Sequence, residues 1–128
     1  MEKEIKDLEN LLVECKKISI VTHFNPDGDA IGSSLALHHY LKSLNLVSNV
    51  ITPNRHPSFL DWVPGINDII IYDENIEKSN QKLTDSDLIF TMDFNSLDRC
   101  GDLSSIINKN KITLFIFKIF IRFSKFHL

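Results

Sequence analysis

The run Ile18-Ser19-Ile20-Val21-Thr22 is short and β-branched, the mark of a parallel strand buried on both faces of a sheet. Three similar runs follow: Leu46 to Ile51, Asp68-Ile69-Ile70-Ile71-Tyr72, and Asp87-Leu88-Ile89-Phe90-Thr91-Met92. Helical patterns lie between and around them. Ile5, Leu8, Leu11, Leu12 and Cys15 recur at helical spacing over residues 3–17, and Ala30 to Leu44 is apolar on more than one face. Residues 73–86 carry only Ile76 and Leu83 as apolar anchors, so they read as a weak helix or a solvated connection. Leu97 to Asn108 is a further helix. Strands alternating with helices specify an α/β fold with an open, mostly parallel sheet flanked by helices.

A chain of 128 residues is one domain with a modest core. Its net charge of −3, from 14 Lys+Arg against 17 Asp+Glu, gives no sign of a nucleic-acid binder of the basic-patch kind. A nuclease acting on short or terminal substrates needs only a local positive site, and stays open. Cys15 and Cys100 lie far apart without a CxxC neighbour, which fits buried thiols of a reducing compartment. The charged start Met1-Glu2-Lys3-Glu4 lacks the apolar core of a signal peptide, so the expected location is the cytoplasm.

The chemistry concentrates where the first strand meets its helix. His23, Asp27 and Asp29 fall within seven residues, at the strand end where open α/β sheets place their sites. A divalent cation needs converging donors, and hard cations prefer carboxylate oxygen. Gly28 is expected to free the backbone between Asp27 and Asp29 to turn. Mixed imidazole and carboxylate donors suit manganese, with zinc, iron or magnesium as alternatives. Asp93 ends the fourth strand run and can reach the same crevice from about 65 residues away. Two adjacent ions would lower the pKa of a shared water and clamp a phosphoryl group for in-line attack.

Each residue also has an ordinary reading. Asp29 before a helix is a good N-cap, Pro26-Asp27-Gly28 is common turn chemistry, and His23 could be a satisfied core histidine. The joint pattern after a buried strand favours a shared metal site. Arg99 is a candidate phosphate contact or a solvated helix arginine. His38 and His39 read as packing and surface residues, Arg55 and His56 lie in a loop that could border the crevice but are not selected as site residues, and Trp62 reads as core or interface.

The segment Thr22-His23-Phe24-Asn25-Pro26-Asp27-Gly28-Asp29-Ala30-Ile31-Gly32-Ser33 resembles the first motif of the DHH (RecJ-like) phosphoesterases. Met92-Asp93-Phe94-Asn95-Ser96-Leu97-Asp98-Arg99 resembles their second. The resemblance covers residues 1–110 and is nearest to the branch that carries a DHHA1 domain. That branch degrades oligoribonucleotides and dephosphorylates 3′-phosphoadenosine 5′-phosphate (pAp). The resemblance implies that His23 and Asp27 hold one manganese, that Asp29 holds a second, and that Asp93 bridges them. Asp29 and Asp93 would then be catalytic. The implied partner is a small nucleotide or short RNA, with no membrane and with a homodimer as the candidate assembly of the complete form.

Residues 111–128 depart from that pattern. They hold five of the nine phenylalanines and no Gly, Pro, Asp, Glu or Asn. Lys118 and Arg122 interrupt a run already shorter than the roughly 20 apolar residues of a membrane span. The family continues with a strand ending in Asp-His-His, which is absent from this sequence, as is a fourth aspartate. The expectation is a partial phosphoesterase domain over 1–110, followed by a frameshifted tail over 111–128, and a chain of little or no activity. The alternatives are a genuine terminal strand with an interfacial segment, a binding module with one weak metal site, or a sheet that lacks a central strand and folds poorly.

Overall fold

A computed structural model describes residues 2–92, 101–109 and 113–117. The order of elements is α1 (Glu2–Glu14), β1 (Lys17–Thr22), α2 (Gly28–Ser43), β2 (Val47–Thr52), β3 (Ile70–Ile71), α3 (Ile76–Asp85), β4 (Leu88–Met92), α4 (Leu103–Lys109) and β5 (Thr113–Phe117). The five strands form one sheet in the order β3-β2-β1-β4-β5, and every pairing is parallel. The α/β parallel architecture expected from the strand and helix alternation is present. No described helix is long and apolar enough to cross a membrane.

Central placement of β1 explains its composition. Ile18, Ile20 and Val21 are fully buried because layers cover both faces of the sheet. Ile18 and Ile20, with Leu88, Phe90 and Met92 of β4, join a core shared with Leu12 of α1 and Ile31, Leu35 and Leu41 of α2. Val21 and Ile89 point the other way, to Leu83 of α3 and Leu103 and Ile107 of α4. The period-two alternation thus sorts the strand residues into two cores, one on each side of a three-layer domain.

Helix α2 stops for a local reason. Asn45 adopts φ 62°, its N–H donates to the Lys42 carbonyl at 2.9 Å, and the Leu46 N–H reaches back to Leu41 at 3.0 Å. That 5→2 and 6→1 pair is a Schellman ending, with asparagine supplying the left-handed residue. The third strand is shorter than its isoleucine run suggests. Only Ile70 and Ile71 pair with β2, between 3₁₀ turns at Ile66–Asp68 and Tyr72–Glu74. It is an edge strand, so half its ladder has no partner to extend it.

Thr113–Phe117, inside the segment set apart by composition, pairs with Leu88–Met92 as β5. The sheet therefore continues past Asn110, and β1 occupies its centre rather than leaving a gap there. Residues 73–86 resolve into the 3₁₀ turn and α3, where Leu83 is fully buried and Ile76 is half exposed. Only one of the two apolar anchors read there is in fact an anchor. Trp62 is 77 % exposed, which removes it from the core.

The start of β4 is tied to the start of β1 by one carboxylate. Asp87 accepts the backbone N–H groups of Lys16 at 2.8 Å and Lys17 at 3.0 Å, and its own N–H donates to the Lys17 carbonyl at 2.8 Å. The two N–H bonds, that of Lys16 foremost, hold the Asp87 carboxyl below its ordinary pKa. A depressed folded pKa contributes stability above the unfolded value, and the contribution is lost as pH falls through the folded one. Asp87→Ala is therefore expected to lower the urea midpoint at neutral pH and to leave a smaller loss on acidification below about pH 4 than the parent shows. In α3, Leu83→Ala should cost about 2–5 kcal/mol, whereas Ile76→Ala should cost no more than about 0.5 kcal/mol, both read by urea unfolding.

Candidate metal centre

The sheet order creates the site. From β1 the chain moves outward through α2 to β2 and β3, then returns through α3 to β4 on the opposite side of β1. Helices α2 and α4 belong to the two opposite cores, so the connections leaving β1 and β4 diverge. A crevice opens at the carboxyl ends of such a strand pair. Thr22 pairs with Met92 in register at that end, so β1 and β4 finish side by side.

His23 is 4 % exposed, and its Nδ1 lies 2.8 Å from the Phe24 carbonyl. A carbonyl only accepts, so Nδ1 carries the proton and, in the neutral ring, Nε2 carries the lone pair. Nε2 lies 3.8 Å from Asp27 Oδ1. That is too long for a hydrogen bond. Two donors each about 2.1 Å from one ion stand about 3.0–3.6 Å apart, so the observed span is close to that of a shared cation. The donor chemistry fits a divalent metal: one imidazole lone pair and one carboxylate oxygen.

Asp27, rather than Asp29, caps α2. Its Oδ1 accepts the Ala30 N–H at 2.9 Å, with φ −94° and ψ −174°. Asp29 is exposed in the first helical turn, where its charge complements the helix N-terminus. The turn is made by Asn25 at φ 56°, not by Gly28, which has no positive φ and whose added Cβ would meet nothing within 4 Å. Asparagine tolerates the left-handed region because its short polar side chain bonds locally. Among the described residues no three His, Cys, Asp or Glu side chains converge on one point. Of the residues read as ligands, His23 and Asp27 face each other. Asp93 and the candidate phosphate contact Arg99 lie outside the described residues, as does Cys100.

Two residues that the sequence reading passed over complete the loop. The Asn25 N–H donates to Asn54 Oδ1 and Asn54 Nδ2 donates to Asn25 Oδ1, both at 2.7 Å. Pro53-Asn54 after a strand is ordinary turn chemistry, and nothing local links it to a residue in the first loop. Gly101, at φ 61°, returns the chain beside the same loop: a Cβ there would stand 3.8 Å from Phe24 Cδ2.

The remaining candidates are structural. Arg55 forks onto Glu74, with Nε at 2.8 Å from Oε2, and that pairing holds the Glu74 carboxyl below its usual range. His56 is buried against Asp61 at 2.9 Å. His38 Nδ1 lies 2.7 Å from Ser48 Oγ, and burial first, then His39, pushes its pKa down. A polar depression of about 630 Å³ opens at the β2–β3 edge between His38, Asn49, Arg55 and Lys78, and neither His23 nor Asp27 lines it.

Residues 17–117 match the DHH family, N-terminal domain. The matched span runs from the first residue of β1 to the last of β5. Among solved structures, an exopolyphosphatase-related protein from Bacteroides fragilis is similar, at 39 % identity and a TM-score of 0.87. The similarity covers 91 % of this chain and 34 % of that protein, so this chain spans about a third of its relative's length. The strand order, the His23–Asp27 loop at the end of the central strand and the extent of the match agree: the chain belongs to the DHH family, through its N-terminal domain.

Proposed function

We propose that this domain is the metal-holding part of a divalent-metal-dependent phosphoesterase, with manganese as the working ion and short oligoribonucleotides or pAp as substrates. The observation that carries the reading is the 3.8 Å approach of His23 Nε2 to Asp27 Oδ1 at the carboxyl end of the central strand. Family membership supports phosphoester chemistry in general. When bound, the metal supplies Lewis-acid activation of water and neutralises charge on the phosphoryl group. Within this proposal His23 offers its Nε2 lone pair and Asp27 its carboxylate, while Nδ1 stays protonated on the Phe24 carbonyl and holds the ring in that tautomer. Asp29 and Asp93 are assigned as the further carboxylates and Arg99 as the phosphate contact. A cytoplasmic location and a homodimeric complete form belong to the same proposal.

The chain as written is expected to turn over poorly. After β5 it reads Lys118-Ile119-Phe120, where the family carries Asp-His-His. One histidine and one carboxylate are then missing from the second metal position. We read this departure as a frameshift. The pairing of β5 and the family match to Phe117 favour a break after β5, later than the boundary at Asn110 suggested by composition. Sequencing the locus and translating all three frames should reveal Asp-His-His downstream in another frame. A confirmed frame with nothing family-like downstream would instead favour the second reading, a vestigial binding module that keeps the fold and one weak metal site.

Asp27 allows the metal role to be separated from the capping role. Asn at this position still caps the helix but offers no anionic ligand. Asp27→Asn should lose Mn²⁺ binding with little change in the melting midpoint, whereas Asp27→Ala should lose both Mn²⁺ binding and about 1 kcal/mol of stability. Any Mn²⁺-dependent hydrolysis of pAp or a dinucleotide should disappear in Asp93→Ala. A cooperative melt with no Mn²⁺ uptake by the parent chain would overturn the metal reading.

A further inference from the structure

We propose that Asn54 is a positioning residue for the metal centre, acting on His23 through a single peptide plane. The inference rests on the reading of His23 and Asp27 as metal ligands. The Phe24 carbonyl that accepts from His23 Nδ1 at 2.8 Å and the Asn25 N–H that donates to Asn54 Oδ1 at 2.7 Å are the two ends of one peptide unit. That unit is planar and stiff. Its orientation therefore sets where the imidazole acceptor lies, and Asn54 holds the opposite end. Polarisation runs the same way along the chain His23 Nδ1–H, Phe24 C=O, Asn25 N–H, Asn54 Oδ1, which strengthens each bond in it.

The peptide needs an external hold. Strand β1 ends at Thr22 and Asp27 caps α2, so His23, Phe24, Asn25 and Pro26 form the stretch between sheet and helix cap. Asn25 sits there at φ 56°, a conformation that surrounding contacts must maintain. The second bond, from Asn54 Nδ2 to Asn25 Oδ1, fixes the asparagine side chain as well as its backbone. The amide orientation of Asn54 follows from chemistry, because a backbone N–H requires the oxygen opposite it.

Asn54 is itself a rigid post. The carbonyl of Pro53 accepts the Asp73 N–H at 3.3 Å. On the other side Arg55 is forked onto Glu74 and His56 is buried against Asp61. The loop after β2 is thus anchored to the turn after β3 on one flank and within itself on the other. Any shift of the first loop must break the Asn25–Asn54 pair, because the post cannot follow it.

The test uses the full chain with Mn²⁺ alone, following the loss of the free-ion electron paramagnetic resonance signal, with ¹⁵N shifts of the His23 ring as a second readout. Asn54→Ala is expected to weaken Mn²⁺ binding about 10-fold and to mix the Nδ1–H and Nε2–H tautomers of His23. Asn54→Asp, which still accepts from the Asn25 N–H, should restore most of the affinity and the single tautomer. A purely structural role would lower the melting midpoint and leave both readouts unchanged, and that result overturns the inference. His23→Ala separates the two levels. If it leaves Mn²⁺ binding intact, the metal reading fails, and the tautomer alone decides whether Asn54 orients the ring. If it removes binding while Asn54→Ala does not weaken it, Asn54 is not a positioning residue. Should Asn54→Ala not fold, Asn54→Leu carries the same expectation, since it keeps the side-chain volume and removes the oxygen that accepts the Asn25 N–H.

Discussion

The parallel pairing of β1 with β2 on one side and β4 on the other is the constraint from which the rest follows. Parallel neighbours cannot be joined by a tight turn, so each connection must cross a face of the sheet. Helix α2 crosses on one face as the chain moves outward, and α3 and α4 pack on the other after it turns back. Both faces of β1 are thereby covered, which requires Ile18, Ile20 and Val21 to be apolar on alternating sides. The same reversal leaves a gap where the connections diverge, and the family motif occupies it.

That gap is bordered by parts of different stiffness. The strand end is held by two ladders and α2 by a core that buries Ala30 and Ile31 completely. Between them four residues, His23 to Pro26, carry the chain from one to the other. A short linker between fixed ends has few conformations, and one left-handed residue selects among them. Asp27 shares its Oδ1 between the helix cap and the approach to His23, so the carboxylate is positioned by the helix rather than by the loop. The imidazole, by contrast, depends on the Phe24–Asn25 peptide and hence on a contact made by the second loop.

Periodicity and β-branching were enough to read the strands and the long helices, because burial on a parallel sheet imposes those patterns locally. The reading faltered where a neighbour decides the outcome. The isoleucines at 69–71 promise a full strand, yet the edge position leaves only two residues paired. Ile76 and Leu83 look alike in the sequence, but only Leu83 meets the second core. Trp62 reads as core or interface, and its exposure removes the first of these. The phenylalanine-rich segment looked foreign by composition, and composition does not reveal that Thr113–Phe117 lies in register with β4.

By itself the sequence determined the fold class, the strand that carries the motif and the placement of His23 and Asp27 in the loop after it, since these depend on near neighbours in the chain. It also carried the family motif, whose spacing is a local property. Tertiary structure alone decided that Asp27 is the cap, that Asn25 rather than Gly28 makes the turn, and that Asn54 grips it from the next loop. These are contacts between loops that only the parallel sheet brings together, and hydrogen-bond partners separated by 29 residues leave no periodic trace in the sequence.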